Sequence, residues 1–360
     1  MAQYRLRIGA SGPPDTLPLW LSGAAINTWG QISNTVVPSA INIGFSGCVL
    51  ANKELVFAAA GGHLTNYDNS VRGINLALST PAWVTRKTIS ASFTDNANYY
   101  PDGTPAGRHL YSSIHYIPGN KVLLSGRRFG GYPGNNTGDE VDVFDLDTDT
   151  WDGVVPGSPG TSGSGYANCS PSGYYGVVQD GNGDIWSFLH TTGAAAKYTV
   201  STNTWSQPTI TGAISPTVRY PWALDTLRNQ LFGLAFGNGE GAGTGMRAVK
   251  QNGTTQTAIT FNSIGGAYEA WLAQAPQYAC MCYDAANDRF LFMGTGAATI
   301  YVITPNSGTT WDMSTLSASG TAPTAPPSSG VPSRMHYIPE YQTVVLILND
   351  SDNIYYLKVA

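Results

Sequence analysis

Five tryptophans sit in one recurring setting: Asn27-Thr28-Trp29, Pro81-Ala82-Trp83, Asp149-Thr150-Trp151, Asn203-Thr204-Trp205 and Thr309-Thr310-Trp311. Successive members are 54, 68, 54 and 106 residues apart. The last interval is twice 53, so one copy lacks its tryptophan, near Ala258. The 68-residue interval carries an insertion between Thr88 and Gly107. A fixed period of this size means that one supersecondary unit is built repeatedly. Such a unit cannot bury its apolar face alone, so neighbouring copies must stack and share a core.

Within each copy, short apolar runs alternate with turns. Ser112–Pro118 is followed by a Gly119-Asn120 turn and by Lys121–Gly126; Glu140–Asp145 and Asp149–Gly153 come after a glycine-rich loop. Met335–Pro339 with Thr343–Leu348, and Cys282–Asn287 with Arg289–Met293, repeat the pattern. Period-two runs broken by Asn, Asp and Gly are β-hairpin signals. No helical period is sustained over ten residues. Each copy therefore holds four strands, with the tryptophan on the fourth. After Trp311 only 49 residues remain. They suffice for three strands, Ser333–Pro339, Thr343–Leu348 and Asn353–Val359; the missing fourth is available in Ala24–Ile32. The spacing predicts an all-β fold, a six-bladed β-propeller of four-stranded antiparallel blades, closed by the N-terminal strand completing the last blade. Residues 22–360 form this domain and residues 1–21 an N-terminal adaptor or tail. Closure removes an exposed sheet edge, and the tryptophans fill the space between sheets.

The second strands end in glycine-rich sequence, at Ala60-Gly61-Gly62, Gly130-Gly131 and Gly294-Thr295-Gly296. With four strands per copy and the tryptophan on the fourth, this resembles kelch repeats and the central domain of galactose-oxidase-like proteins, in degenerate form, over about residues 22–360. Copper-radical oxidases of that fold use Tyr, His and a Tyr–Cys crosslink. Those ligands do not map onto this sequence residue by residue, so the resemblance implies the fold without the copper.

Composition narrows the function classes. Charged residues are 11 % of the chain, against about 25 % in an ordinary soluble domain. Net charge is -5, without a Lys/Arg run, so no nucleic-acid partner is expected. Disorder is disfavoured by 42 % hydrophobic residues. The polar surface must be Ser, Thr, Asn, Gln and Gly, in the style of secreted or virion proteins. Met1–Arg7 lacks the apolar core of a signal peptide. No apolar run reaches the roughly 18 residues of a membrane helix, so membrane insertion is not expected.

Residues with chemistry are few. The cysteines are Cys48, Cys169, Cys280 and Cys282. Cys280 and Cys282 share one face of an alternating run, and a C-x-C pair alone cannot supply a zinc site; buried free thiols are expected. Of His63, His109, His115, His190 and His336, the pair His115 and His336 precede Tyr116 and Tyr337 at matching places and read as repeat structure. The acidic run Asp139–Asp149 reads as solvated hairpin acids. Thr304–Trp311 fits the Asp-box turn pattern of sialidases, where it lies away from the catalytic centre. No P-loop, dinucleotide fingerprint, nucleophile elbow or H-E-x-x-H occurs. No catalytic residue, metal or cofactor is assigned.

In four-stranded antiparallel blades the loops after strands two and four emerge on one face, and the irregular sequence concentrates there. Loops on a rigid scaffold carry binding. The candidate ligand contacts are Tyr99, Tyr100, Arg127, Arg128, Tyr132, His190, Asn238 and Glu240, where aromatic rings and guanidinium groups suit sugars. The resemblance to kelch-like proteins of tailed phages implies a non-enzymatic virion component on the particle exterior. Its expected partners are other virion proteins and a host-surface glycan, and it would be present in multiple copies. The alternative is a glycan-active enzyme, a sugar mutarotase, lyase or hydrolase, on the same scaffold.

Overall fold

The computed structural model describes residues 17–39, 41, 43–61, 68–91, 99–108, 110–125, 141–152, 176–188, 195–212, 221–236, 246–274, 278–295 and 297–360. After β1 (Thr28–Ile32), the strands come in consecutive runs. The first is β2 (Val49–Ala51), β3 (Glu54–Ala58), β4 (Val71–Asn75) and β5 (Trp83–Lys87). The second is β6 (Ile114–Ile117), β7 (Lys121–Leu124), β8 (Asp142–Asp145) and β9 (Thr150–Trp151). The third is β10 (Gly176–Gln179), β11 (Ile185–Phe188), β12 (Ala195–Thr199) and β13 (Thr204–Ser206). Then come β14 (Trp222–Asp225), β15 (Gln230–Phe236), β16 (Met246–Asn252) and β17 (Thr255–Ser263). β18 (Cys280–Asp284), β19 (Arg289–Met293), β20 (Tyr301–Thr304) and β21 (Thr310–Thr315) follow. The chain ends with β22 (Ser319–Gly320), β23 (Met335–Ile338), β24 (Thr343–Leu346) and β25 (Ile354–Lys358).

Helix is sparse. The one α-helix among the described residues, α1 (Ala267–Gln274), joins β17 to β18. The Ser263 hydroxyl accepts the Tyr268 N–H at its start, 3.1 Å away. Trp271 anchors it, packed edge-on against Phe292 and Tyr301.

In the first five runs, and from β23 to β25, consecutive strands pair antiparallel, as hairpins require. β1 pairs antiparallel with β25, from Thr28↔Lys358 to Ile32↔Ile354, which is the closure that the short last copy demands. First strands of successive runs lie side by side: β2 against β6, β10 against β14, β14 against β18, and β18 against β23. The architecture is all-β and propeller-like.

The structure corrects the expected set of separate four-stranded sheets. The described strands form three four-stranded sheets, one of eight strands and one of five. The eight-stranded sheet arises because β17 and β21 pair in parallel, Thr260↔Thr310 to Ser263↔Met313. The fifth strand of the closing sheet is β22, parallel to β1. Edge strands leave N–H and C=O groups open, and in this fold outer strands of neighbouring runs satisfy one another. Hydroxyl pairs mark these joints: Thr260–Thr310 at 2.9 Å, Thr28–Ser319 at 3.0 Å and Thr211–Thr255 at 3.2 Å. Such joints lie outside the period-two signal that reveals hairpins.

The tryptophans do pack between elements. Trp29 and Trp311 are buried, while Trp83, Trp151 and Trp205 are half-buried against apolar clusters. Trp83 lies 5.8 Å from Phe57, Trp151 5.1 Å from Phe144, and Trp205 5.2 Å from Tyr198. In the Asp-box-like turn, Asn306 accepts the Gly308 N–H at 2.8 Å and donates to the Thr310 carbonyl at 2.6 Å. It is a turn device. Trp20 and Leu21, counted with the tail from sequence, pack on the sheet: Leu21 is fully buried and the Trp20 ring sits 5.2 Å from Tyr356.

One inter-sheet face is unusually polar. Ser113, His115 and Ile117 share parity, Ser125 lies opposite Ser113, and Ser187 pairs with Val177. Ile117, Leu123, Val177 and Ile185 share a core cluster, so these polar groups face one another between the second and third runs. Among the described residues, the three hydroxyls and His115 Nε2 are buried without a partner. An unsatisfied buried hydroxyl opposes folding. Ser187→Ala is therefore expected to stabilise the protein by about 1 kcal/mol, read as a raised urea midpoint at unchanged m-value.

Candidate active site

The segments leading into first strands carry unusual backbone. Tyr111, Tyr278 and Ser333, two or three residues before β6, β18 and β23, have φ of 42°, 51° and 48°. Ala59, just after β3, has φ of 50°. The other non-glycine residues with positive φ, among those described, are Asn, Asp and Gln. Those types tolerate the left-handed region; Tyr, Ser and Ala are strained in it, by about 1–3 kcal/mol each.

The strained segments converge. A Cβ at Gly47 would fall on the Tyr111 carbonyl oxygen and against Ser333. The Cys48 N–H donates to the Ser333 carbonyl at 3.1 Å, and the Val331 N–H to the Tyr278 carbonyl at 2.9 Å. A Cβ at Gly330 would strike Tyr278. The Tyr111 and Tyr278 rings stack, 5.4 Å apart and 9° from parallel. Backbone from four runs thus meets at one place, and glycine is required where two segments touch.

Polar side chains gather at the same place. His336, on β23, lies with Nε2 3.4 Å from Cys48 Sγ and 3.1 Å from the Ser333 carbonyl oxygen. Arg334 is fully buried. Its Nη1 donates to the Leu348 carbonyl at 3.3 Å and its Nη2 to the Gly330 carbonyl, while Nε is buried without a partner. Burial pulls the guanidinium down to about 10, opposed by the nearby Cys48 and Cys280. Burial pushes the Cys48 and Cys280 thiols up to about 12, opposed by Arg334. These thiols and Cys282 are buried and unbridged. At neutral pH the cluster holds a cation, neutral thiols and a neutral imidazole.

A second buried guanidinium is differently built. Arg108, also fully buried, forms an ion pair with Asp142 and donates to the Leu124 carbonyl at 3.3 Å. The Tyr99 hydroxyl donates to Asp142 at 2.9 Å. The acidic hairpin is therefore not all solvated: Asp142 is buried, where it meets Arg108. Asp145 caps its own turn through the Asp147 and Thr148 N–H groups, and Asp149 pairs with Arg86 at 2.7 Å.

Of the residues marked from sequence, Tyr99 is half-buried and holds Asp142, and Tyr100 is buried. Arg127, Arg128, Tyr132, His190, Asn238 and Glu240 lie outside the described residues. Arg334 and the Cys48–His336 contact carry no sequence signal; their partners are brought together by ring closure. His115 and His336 do occupy matching strand positions, opposite Leu123 and Val345. Among the described residues, no group of three or more His, Cys, Asp and Glu is arranged to hold a metal ion. No helix among them is long and apolar enough to cross a membrane.

Both strand histidines resist protonation. Burial lowers His115 to about 3 and His336 to about 4, from 6.5. In the unfolded chain both bind protons near 6.5, so below that pH the unfolded state holds more protons than the fold. Their stabilising contribution is complete above 6.5 and falls as pH drops through 5 towards 4. Urea midpoints at pH 7, 5.5 and 4.5 should decline, and His336→Gln should make the decline shallower. A midpoint independent of pH across this window sinks the argument.

No protein-family model matches the chain, and no curated protein matches it. Solved structures with a similar fold include one described as a gluconolactonase, at 12% identity and TM-score 0.49, covering 96% of this chain and 95% of that one. Virginiamycin B lyase from Staphylococcus aureus is 13% identical with TM-score 0.43, covering 92% of this chain and 99% of that one. The Malassezia sympodialis allergen Mala s 1 is 10% identical with TM-score 0.49, covering 93% of this chain and 96% of that one. A luciferin-regenerating enzyme is also similar, at 8% identity and TM-score 0.46, covering 91% of this chain and 94% of that one. The expectation of a non-enzymatic virion component is corrected by this comparison. Three of these four structures are described as enzymes and none as a virion part. Surface composition, on which that expectation leaned, reports solubility and exposure; it does not report what a site does.

Proposed function

We propose that the chain is an enzyme on a six-bladed propeller, in which each of the first five runs is one blade and β23, β24, β25 and β1 make the sixth. It acts by proton transfer on a small molecule of the carbohydrate class, in the manner of a mutarotase or lyase. The reaction takes place where the lead-in segments meet. The observation that carries this reading is the Cys48–His336 contact beside the carboxylate-free guanidinium of Arg334. Buried groups of perturbed pKa held together at a strained place are what active sites collect. His336 is neutral at neutral pH: its Nε2–H donates to the Ser333 carbonyl, and Nδ1 carries the lone pair that serves as the base. Its contacts to Cys48 and Ser333 fix the ring plane. Arg334 supplies fixed positive charge where negative charge develops on the substrate, in a site from which water is excluded.

The test is turnover by the full chain of a panel of reducing sugars, sugar lactones and sugar acids, followed by proton NMR. Turnover that falls by roughly 10²-fold or more in His336→Gln, with the melting temperature kept, supports the reading. No turnover of any panel member, or turnover indifferent to His336, overturns it.

A further inference from the structure

Among the described residues, four arginines meet carboxylates. Arg86 takes Glu54 and Asp149, Arg108 takes Asp142, Arg228 takes Asp225 and Asp288, and Arg289 takes Asp284. Arg72 is only half-buried and reaches the Ser70 and Thr85 hydroxyls. Arg334 departs from both patterns. It is as buried as Arg108, yet its contacts are two backbone carbonyls. A guanidinium does not deprotonate in a protein. Burying its charge without a counter-charge is opposed by several kcal/mol of desolvation. The neighbouring thiols do not supply that counter-charge, because burial keeps Cys48 and Cys280 protonated. Asp350 is exposed and acts only at longer range. The fold thus maintains a positive charge at a place where no described side chain pairs with it.

That place lies where the lead-in segments of several first strands meet. Arg334 lies between Cys280 at the start of β18 and Cys48 ahead of β2, so three successive first strands surround it. Its Nη2 holds the Gly330 carbonyl, Gly330 abuts Tyr278, and Tyr278 stacks on Tyr111. Both tyrosines hold a strained backbone with positive φ. Nε and the adjacent Nη2 form one side of the guanidinium fork, the geometry that receives a carboxylate bidentately.

Resting on the function proposed above, we infer that Arg334 recognises the carboxylate of a sugar acid, reached when the Tyr111–Tyr278 pair parts. A neutral sugar leaves the guanidinium uncompensated; a uronate or aldonate pairs with it.

The experiment is calorimetric titration of the full chain with glucuronate, with glucose as the neutral counterpart and with inorganic phosphate as a plain anion. Glucuronate is expected to bind at least roughly tenfold more tightly than glucose, because a charge-assisted fork is about twice as strong as a neutral hydrogen bond. Arg334→Met should erase that preference. Arg334→Lys, which keeps charge and loses the fork, should retain part of it, and it stands in should Arg334→Met fail to fold. Equal affinity for glucuronate and glucose, a preference unchanged in both variants, or phosphate competing as well as glucuronate overturns the inference. The two proposals fail separately. Arg334-dependent glucuronate binding without turnover of any sugar removes the enzyme reading and leaves this one. Turnover of neutral sugars without glucuronate binding does the reverse.

Discussion

Asp142→Ala is expected to destabilise the protein by about 3–5 kcal/mol, the cost of breaking a buried ion pair from one side. Asp142 is buried, and its carboxylate forms an ion pair with fully buried Arg108. Removing it leaves a guanidinium that can neither reach water nor lose its proton. The Tyr99 hydroxyl loses its acceptor at the same time. The size of the effect measures an uncompensated charge and not the net worth of the pair. The double variant Arg108→Met with Asp142→Leu should accordingly recover most of the loss, since apolar replacement of a buried ion pair is near neutral or stabilising. Urea unfolding of both single variants and the double variant gives the coupling. A single variant within about 1 kcal/mol of the parent, below the range for a broken buried pair, would show that Arg108 finds other compensation.

Removing residues 1–34 is expected to abolish soluble folded protein. The deletion takes away β1, and with it the antiparallel pairing of β25 over five residue pairs. It also removes Leu21, Trp29 and Ile32, all buried. Losing large buried side chains costs on the order of 3 kcal/mol each, and three together approach the whole stability of an ordinary domain, about 5–15 kcal/mol. What remains presents β25 as an open edge carrying Ile354, Tyr355 and Leu357, which invites pairing with other chains. Fractionation after expression, with size-exclusion chromatography of the soluble part, reads the outcome. A soluble truncated monomer melting within a few degrees of the full chain would falsify the role given to β1.

The buried arginines separate two kinds of information. Arg108 lies 16 residues from its carbonyl partner Leu124, within one hairpin-bearing copy. The acidic run was visible from sequence, but which of its carboxylates turned inward was not, because hairpin register decides it and the turn lies in irregular sequence. Cys48 and His336 are 288 residues apart. They touch only because the first and last runs become neighbours on closure.

The sequence by itself determined the all-β class with its recurring hairpins, the place of the tryptophans, the pairing of the N-terminal strand with the last one, and the burial of Cys48, Cys280 and Cys282. These follow from period-two alternation and a period near 53 residues, which are local properties of the chain. Only the tertiary structure decided the parallel joints β17–β21 and β1–β22, the meeting of Gly47, Tyr111, Tyr278 and Ser333, and the cluster around Arg334. Each of these is a contact between different copies. A repeat constrains what every copy is, whereas contacts around a closed ring depend on how all copies are rotated against one another. No window of sequence holds that rotation: it emerges from packing every inter-sheet face at once.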